Sequence, residues 1–407
     1  PPRSTPLYSS AASDVYKRQA IANAGPTTIF RSVRTRMGKI SENPPLPGPC
    51  SCCKIVLVLR LPQEWVSRLR PRFEGQRVCI TGGAGFIGGH VLDALLSLGS
   101  RIAVIDDLSN SSADHLVELI DIEPDRVRFV HGSILDDAAL ADAFEGAKMV
   151  FHLAAVSSVP RSVEDPERSY AVNAVGTMRV AEQARKAGVS RLVYSASSSA
   201  YGQSEKLPKV ETDVPAPASP YAASKLAGEQ VMLAWAKSYG LSTMSLRYFN
   251  IFGPRQPADS PYSAVIAVFA QKLLAGQTSE PPTIFGDGGQ SRDFTYVTNA
   301  VLANLLAGAS QRALAGEVVN VGAGERVDLN ALYKMIAELC GTPHVQARFA
   351  PERPGDVKHS LADLSLAREL LGYEPVVGLE EGLAATIEWY KSQMGLRLGA
   401  SHRGAEA

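Results

Sequence analysis

The sequence of 407 residues is short of cysteine, of long apolar runs and of net charge. Three of its five cysteines cluster at residues 50–53, with no second Cys-x-x-Cys or histidine pair to complete a zinc site. We therefore expect no disulfide and predict no metal ligand. Lysine plus arginine and aspartate plus glutamate both number 41, so the charge balance gives no support for binding nucleic acid or a membrane surface.

The N-terminal region lacks both a membrane span and a recognisable targeting pattern. Its longest apolar run, residues 55–59, is far shorter than the ~20 residues that cross a bilayer. No secretory signal is visible, so we expect a cytoplasmic protein. Residues 1–72 show no periodicity, and residues 9–19 resemble a translation artefact of sequencing-adapter DNA. We predict a disordered or non-native tail at 1–72, with a targeting segment as the alternative, and a frayed tail at 395–407.

Between these tails, short apolar runs alternate with helical stretches such as residues 166–187 and 221–239. Strands are predicted at Arg77–Thr81, Arg101–Asp106, 127–132, 149–155, Arg191–Ser197, 241–250 and 317–322. Apolar runs separated by helices indicate a parallel sheet that is buried on both faces. The predicted fold is therefore α/β, a Rossmann-like doubly wound parallel sheet at 73–250. Proline and glycine increase beyond residue 250, which predicts a smaller C-terminal substrate domain at 251–394 with strand excursions into the sheet.

A glycine-rich turn, TGGAGFIGG, follows the first strand and opens a helix, which is the context that binds a dinucleotide. Gly82 permits the tight turn, Gly85 lets the backbone approach a pyrophosphate, and Gly88 allows close helix packing. Asp106 ends the second strand, where its carboxylate can accept hydrogen bonds from the adenosine ribose. Because a carboxylate there repels a 2′-phosphate, the sequence favours NAD over NADP as cofactor.

Tyr221 and Lys225 stand four residues apart in YAASK, downstream of Ser197, Ser198 and Ser199. On a helix this spacing places the pair on one face. A neighbouring ammonium favours the phenolate, so we expect a desolvated Lys225 together with a cationic nicotinamide ring to bring the pKa of Tyr221 from about 10 toward 7. Such a base can take a proton from a sugar hydroxyl. YxxxK alone is also compatible with an ordinary helix start, but its combination with the glycine turn favours proton transfer coupled to a dinucleotide.

These motifs, in this order, resemble the extended short-chain dehydrogenase/reductase family, and within it the nucleotide-sugar 4-epimerases. The resemblance is carried by TGGAGFIGGH, IDDLSN, FHLAA, NAVGT, YSASSSAYG, SPYAASK, LRYFNIFGPRQ, GDGGQSRDFTYV and RPGDVKHSLAD. It implies that Tyr221 is the catalytic base, that Lys225 is its electrostatic partner and that Ser197 bonds the sugar hydroxyl. It also implies a homodimer through the helices at 166–187 and 221–239, with the apolar positions Val172, Val175, Met232 and Trp235.

The resemblance implies ligand-binding residues along most of the chain. It also implies that the domain at 251–394 binds a UDP-sugar. Cofactor-binding residues are predicted at Gly82, Gly85, Phe86, Ile87, Gly88, Asp106, Asp107, Asn110, Ser133, Ile134, Leu153, Ala154, Ala155, Asn173, Tyr248 and Phe249. Substrate-binding residues are predicted at Ser198, Ser199, Asn250, Arg292, Arg353, Asp356 and Ser360. The two arginines suit a diphosphate because they are permanently charged, bidentate donors. Asn299 replaces the family's usual aspartate and is predicted to be a structural cap.

The serine segment separates the chemistries of the family. The dehydratases and decarboxylases that this sequence resembles place an acid before the tyrosine of YG, whereas Ser199 and Ala200 stand there in this chain. Without that acid a 4-keto intermediate would survive to be reduced again. We therefore predict NAD-dependent epimerisation at C4 of UDP-glucose or UDP-galactose. The resemblance also implies that Ser360 lies beside the 2-substituent of the sugar and leaves room for an acetamido group, so N-acetylated UDP-sugars are predicted substrates as well. The alternatives are a dehydratase or decarboxylase and a non-catalytic NAD-binding module.

Overall fold

The computed structural model describes residues 61–258, 264–276, 280–352 and 357–403. The central sheet contains seven strands: β1 (Arg77–Thr81), β2 (Arg101–Asp106), β3 (Val127–His131), β4 (Met149–His152), β5 (Arg191–Ser197), β6 (Thr243–Tyr248) and β11 (Ala315–Val321). Their order is β3–β2–β1–β4–β5–β6–β11, and every neighbouring pair is parallel. This sheet confirms the predicted Rossmann-like doubly wound fold.

Six further strands form three small sheets in the C-terminal half. They are β7 (Ile251–Phe252), β8 (Thr283–Phe285), β9 (Ser291–Arg292), β10 (Thr295–Tyr296), β12 (Val327–Asp328) and β13 (Arg348–Ala350). β10 pairs with β7, β12 with β9, and β13 with β8. Since β11 comes from this half and joins the central sheet, the chain makes the predicted type of strand excursion. The domain boundary at residue 250 stays a prediction.

Helices cover both faces of the central sheet. They are α1 (Gln63–Phe73), α2 (Phe86–Ser97), α3 (Asp114–Ile122), α4 (Asp137–Ala143), α5 (Val159–Glu164), α6 (Pro166–Tyr170), α7 (Thr177–Lys186), α8 (Pro220–Tyr239), α9 (Val265–Leu274), α10 (Val297–Ala309), α11 (Leu329–Cys340), α12 (Ser365–Leu371) and α13 (Leu379–Arg403). Val91 of α2 and Val301 of α10 pack with Val193 on one face. Met232 of α8 packs with Leu192 on the other face. The neighbouring residues of β5 thus point to opposite cores, as a buried strand requires.

Three boundaries differ from the sequence prediction. The tail predicted at 1–72 is wrong for 63–72, because α1 buries Leu69 and Phe73 in the core, and Phe73 lies 6.5 Å from Phe151 between ring centroids. Residues 1–60 lie outside the described residues. The predicted helix at 166–187 is divided by a π-helix at Ala171–Gly176. α13 continues to Arg403, past the predicted start of the frayed tail at 395.

The carboxyl ends of the parallel strands bring the candidate functional residues together. The glycine turn follows β1, Asp106 ends β2, and Ser197 ends β5. Ligands of open α/β sheets bind at this edge. None of the helices in the described ranges is long and apolar enough to cross a bilayer.

Candidate active site

In the glycine turn between β1 and α2, no side chain covers the backbone at the glycine positions. Gly82 adopts a φ of +74°, and a Cβ there would lie 2.6 Å from the backbone nitrogen of Ala154. A Cβ on Gly88 would lie 2.1 Å from the carbonyl oxygen of Gly82. Gly85 caps α2 in an extended conformation. The N-terminus of α2, with Phe86 and Ile87, therefore opens directly onto the turn, as pyrophosphate binding requires.

Asp106 lies beside this turn, where the sequence predicts the adenosine ribose. Its Oδ2 accepts a hydrogen bond from the backbone nitrogen of Ala84 at 3.1 Å. Its Oδ1 accepts from the backbone nitrogen of Leu108 at 2.9 Å and from Ser111 Oγ at 3.1 Å. Burial raises the pKa of the carboxyl, and these three hydrogen bonds oppose the shift. The next residue, Asp107, is exposed and caps its own turn through the backbone nitrogen of Ser109.

The predicted residues beyond β3 and β4 line the same edge of the sheet. Ser133 Oγ accepts from the backbone nitrogen of Leu135 at 3.3 Å, and the side chain of Ile134 is buried. Leu153 and Ala154 donate from their backbone nitrogens to the carbonyl and hydroxyl oxygens of Thr81. This ladder fixes the end of β4, together with the half-buried Ala155 that follows it, beside the glycine turn.

Asn173 is turned inward by the π-helix and is 1% exposed. Its Oδ1 accepts from the backbone nitrogen of Val156 at 2.8 Å. Its Nδ2 donates to the carbonyl oxygen of Val156 at 3.1 Å and to Ser224 Oγ at 3.1 Å. The side chain therefore fastens the loop after β4 to α8, which positions that loop for a cofactor.

Tyr221 and Lys225 lie on one face of α8, and β5 brings Ser197 to them. Ser219 caps the helix by accepting from the backbone nitrogen of Ala222 at 3.1 Å, and Pro220 occupies the first turn. Burial raises the pKa of Tyr221, and its hydrogen bond with Ser197 lowers it. Burial is the larger effect, so the protein alone holds the pKa of Tyr221 above its ordinary value, and the fall toward 7 beside a nicotinamide ring stays a prediction.

Burial also lowers the pKa of Lys225 to about 7, although the carboxylate of Glu229 one turn away opposes that shift. The Lys225 side chain is 3% exposed. Desolvation thus disfavours the charged form of both partners, the phenolate and the ammonium. A cationic nicotinamide ring beside Tyr221 would act in the opposite direction by favouring the phenolate.

The serine segment after β5 forms a short 3-10 helix at Ser198–Tyr201. Ser199 Oγ donates to Ser197 Oγ at 2.8 Å, and the backbone nitrogen of Ser199 donates to the same atom at 3.2 Å. Ser198 and Ser199 are half-buried, whereas Ala200 is 1% exposed and faces the interior. Hydroxyl groups rather than a carboxylic acid therefore surround the candidate base.

Tyr248 ends β6 and Phe249 follows it, and both are buried. The Tyr248 hydroxyl bonds Ser195 Oγ at 3.1 Å and accepts from Asn304 Nδ2 at 2.6 Å, which places it between β5 and α10. Phe249 packs on Tyr201, with 6.1 Å between ring centroids. The structure shows the packing of both side chains, and their place beside a nicotinamide stays a prediction.

Three of the predicted substrate residues meet although they are far apart in the chain. Asn250 Nδ2 donates to the carbonyl oxygen of Asp293 at 3.1 Å and to Ser360 Oγ at 3.4 Å, across 110 residues of sequence. Arg292 Nη1 donates to the carbonyl oxygen of Lys358 at 3.0 Å. Arg353 and Asp356 lie outside the described residues.

Sequence reasoning missed several residues that shape this site. Asp293 is fully buried and accepts hydrogen bonds from the backbone nitrogens of Ala323 and Ala362 at 2.8 and 3.2 Å. Its position beside Arg292 was the available signal. Arg161 Nη1 donates to Asn110 Oδ1 at 2.6 Å, and both line a cavity of about 230 Å³ at the cofactor edge.

Asn299 has a different role from the predicted cap. It lies inside α10, where its Nδ2 donates to the carbonyl oxygen of Val377 at 2.8 Å. Its Oδ1 accepts from the backbone nitrogens of Val376 and Val377 at 2.8 and 3.1 Å. The residue therefore ties the segment before α13 to α10. Among the described residues, no group of three His, Cys, Asp or Glu side chains could hold a metal ion.

Known proteins resemble this chain along most of its length. The NAD dependent epimerase/dehydratase family matches residues 78–322. A UDP-glucose 4-epimerase from Mycolicibacterium smegmatis is 40% identical over 321 residues, which cover 78% of this chain and 99% of that protein. The chain belongs to the NAD dependent epimerase/dehydratase family.

Members of this family with solved structures share the fold of the chain. A UDP-N-acetylglucosamine 4-epimerase from Methanobrevibacter ruminantium, in complex with UDP-N-acetylmuramic acid, is 36% identical with a TM-score of 0.73, covering 79% of this chain and 99% of that one. A UDP-glucose 4-epimerase from Thermotoga maritima, with UDP-glucose, is 37% identical with a TM-score of 0.73, covering 78% and 100%. A dTDP-glucose 4,6-dehydratase from Streptomyces niveus is 32% identical over 77% of this chain and 93% of that protein. Proteins named for more than one reaction therefore resemble the chain.

Proposed function

We propose that this protein is an NAD-dependent UDP-sugar 4-epimerase. The observation that carries the proposal is the group of Tyr221, Lys225 and Ser197 at the carboxyl edge of the sheet, beside a glycine turn and with Ser199 and Ala200 where an eliminating acid would stand. Relatives named as UDP-glucose and UDP-N-acetylglucosamine 4-epimerases support it.

The residues of the chain fit the cofactor and have distinct roles toward the sugar. The turn at Gly82 and Gly88 and the carboxylate of Asp106 would hold NAD, which when bound accepts a hydride from C4 and returns it to the opposite face. The phenolate of Tyr221, stabilised by the ammonium of Lys225, takes the proton of the 4-hydroxyl group and becomes a neutral phenol. Ser197 orients the hydroxyl through a hydrogen bond.

The substrate side would anchor the UDP part and leave the sugar ring loosely held. Asn250, Arg292 and Ser360 meet at this side, and we propose that Arg353 and Asp356 complete it on the diphosphate and the uridine ribose. A 4-keto sugar must turn over in the pocket before it is reduced again. Binding energy from the nucleotide allows that rotation because it does not depend on the ring.

The test is the product formed from UDP-glucose and from UDP-N-acetylglucosamine in parallel, followed by proton NMR. We expect the C4 epimer of each sugar, with its 6-hydroxymethyl group intact. A 4-keto-6-deoxy product would instead establish a dehydratase, and carbon dioxide release from UDP-glucuronate would establish a decarboxylase. Absence of turnover while NAD stays bound would favour the non-catalytic module.

We also propose a homodimer through the helices next to the active site. Val163 is 64%, Tyr170 43% and Val175 44% exposed on neighbouring helical turns, which is unusual for large apolar side chains. Of the positions chosen from the sequence, Met232 is instead fully buried in the core, and Val172 and Trp235 are partly buried. Light scattering at micromolar concentration should give twice the monomer mass, and Val163→Glu with Val175→Glu should give the monomer.

A further inference from the structure

The buried ammonium of Lys225 has an aromatic ring beneath it that the proposed mechanism does not use. Lys225 Nζ lies 4.5 Å from the ring centroid of Tyr194 on β5. Tyr194 is fully buried, and its hydroxyl donates to the carbonyl oxygen of Lys225 at 3.1 Å. The Tyr194 side chain therefore contacts both the ammonium group and the backbone carbonyl group of Lys225.

Gly228 makes this contact possible. A Cβ at residue 228 would lie 2.2 Å from the Tyr194 hydroxyl oxygen. Because Gly228 has no side chain, the Tyr194 ring packs directly against that turn of α8. Tyr194 on β5 and Gly228 on α8 therefore fit together, and their contact fixes the position of Lys225.

The other titratable groups around Lys225 are few, and among them the carboxylate of Glu229 favours its charged form. On α8 they are Tyr221 and Glu229, and Glu229 is held by Arg247 at 2.8 and 2.9 Å. On β4 the group is His152, whose ring nitrogens bond Thr81 Oγ1 and Thr177 Oγ1 at 2.7 and 2.9 Å. Burial and then the charge of Lys225 lower the pKa of His152 to about 3, so it stays neutral.

Tyr194 itself also stays neutral. Burial raises its pKa well above 10, with the charge of Glu229 acting in the same direction. A neutral phenol presents the electron-rich face that attracts a cation, and this attraction is strongest where water is excluded. The ring therefore opposes the desolvation that lowers the pKa of Lys225 to about 7.

We infer that Tyr194 is a positioning residue for Tyr221 and Lys225, because its ring face keeps the buried ammonium charged and its hydroxyl fixes the helical turn that carries it. The inference rests on the proposed function, in which the charge of Lys225 supports the base Tyr221. It assigns the ring and the hydroxyl to separate tasks, which separate variants can test.

The first test compares the pH profiles of kcat/KM for Tyr194→Leu and Tyr194→Phe with the wild type. In Tyr194→Leu we expect the alkaline limb to move about one pH unit lower, because Lys225 loses its proton sooner without the ring. In Tyr194→Phe the ring remains, so the limb should stay. Tyr373→Leu is the matched control, since Tyr373 is equally buried and its hydroxyl donates to the carbonyl oxygen of Gly322 at 2.8 Å.

The Tyr373→Leu control separates an effect on the protonation of Lys225 from an effect on core packing. Tyr373→Leu should lower thermal stability without moving either limb of the profile. If Tyr194→Leu lowers kcat/KM equally at every pH, the ring serves packing alone and the inference fails. If Tyr194→Leu does not fold, fluorinated phenylalanines at position 194 replace it, because fluorine weakens the ring face with little change of shape. A graded shift with the number of fluorines is expected, and an unchanged limb would refute the inference.

A second measurement does not depend on turnover. Protein labelled at the lysine ε-carbons is titrated by carbon-13 NMR, and the signal lost in Lys225→Arg identifies Lys225. Its titration midpoint should fall by about one pH unit in Tyr194→Leu and stay in Tyr373→Leu. If no UDP-sugar reacts, the proposed function fails while this titration still decides the inference. Equal midpoints in all three proteins would overturn the inference alone.

Discussion

Two carboxylates anchor the two halves of the active site in different ways. Asp106, on the cofactor side, accepts hydrogen bonds from Ala84, Leu108 and Ser111, which lie 22, two and five residues away in the chain. Ala84 lies in the turn between β1 and α2, and Leu108 and Ser111 lie in the loop directly after β2. The carboxylate is partly exposed at the edge of the sheet, where a ribose could still reach it.

Asp293, on the substrate side, is fully buried, and three of its partners come from distant segments. It accepts from the backbone nitrogens of Ala323, Gly324 and Ala362, which are 30, 31 and 69 residues away. Burial raises its pKa to about 6, although these hydrogen bonds oppose the shift. Asp293 therefore holds the loops together from the inside.

This difference shows how each half is encoded. All three donors to Asp106 lie within 22 residues of it, so its position is set by the β1–α2 turn and the loop after β2. The substrate half is assembled by hydrogen bonds across 30 to 110 residues. A substitution on the first side should change one ligand contact, whereas a substitution on the second should displace several segments.

The largest effect is expected at Tyr221, where the two halves meet. Tyr221→Phe should lower kcat by about 10²–10⁴-fold, because it removes the acid–base group and keeps the ring. NAD content, measured from the absorbance of the purified protein, should not change. A variant that keeps more than about a tenth of wild-type turnover would contradict the assignment of Tyr221 as the base.

Asp293→Asn and Asp106→Asn compare the two halves directly. Asp106→Asn should weaken NAD binding, because the negative charge facing the ribose is lost, and should leave the KM for the UDP-sugar nearly unchanged. Asp293→Asn should raise that KM and lower the melting temperature, because an amide has one oxygen to accept from Ala323, Gly324 and Ala362 where the carboxylate has two. Equal changes of the NAD Kd and the sugar KM in both variants would remove the distinction between the halves.

The pH dependence of the free energy of unfolding tests the burial of Asp293, which distinguishes it from Asp106. Folding raises the pKa of Asp293 from 3.8 to about 6, so the folded state binds this proton more tightly than the unfolded chain. The contribution to the free energy of unfolding is present below pH 3.8 and is lost as the pH rises through about 6. Urea unfolding should show this decrease in the wild type and less of it in Asp293→Asn. An identical slope in the two proteins would contradict the shift.

The smallest effect is expected at Ser360, which is 8% exposed beside Asn250. Ser360→Tyr should lower kcat/KM for UDP-N-acetylglucosamine by about tenfold, or about 1.4 kcal/mol, because the ring would occupy the volume of the acetamido group. UDP-glucose should be spared. Ser360→Ala is the control that removes the hydroxyl without adding volume. Equal losses on both sugars would show that the residue does not control the pocket.

The strands and the cofactor motifs could be predicted because their information is local. The seven apolar runs correspond to the seven strands, since a strand buried on both faces must be apolar throughout. The helix at 63–73 was missed because its apolar positions are few and because it contains a proline, Pro71. Asn173 was identified as a motif residue, but its inward turn depends on a π-helix that the sequence pattern does not reveal.

The sequence by itself determined the doubly wound fold, the glycine turn and the Tyr221–Lys225 pair, because each depends on spacings within one strand or helix. Only the tertiary structure decided what surrounds that pair. Tyr194, Glu229 and His152 reach Lys225 from three elements, and burial there lowers its pKa to about 7. Desolvation depends on how the whole core packs around a charge, and no spacing along the chain contains that information.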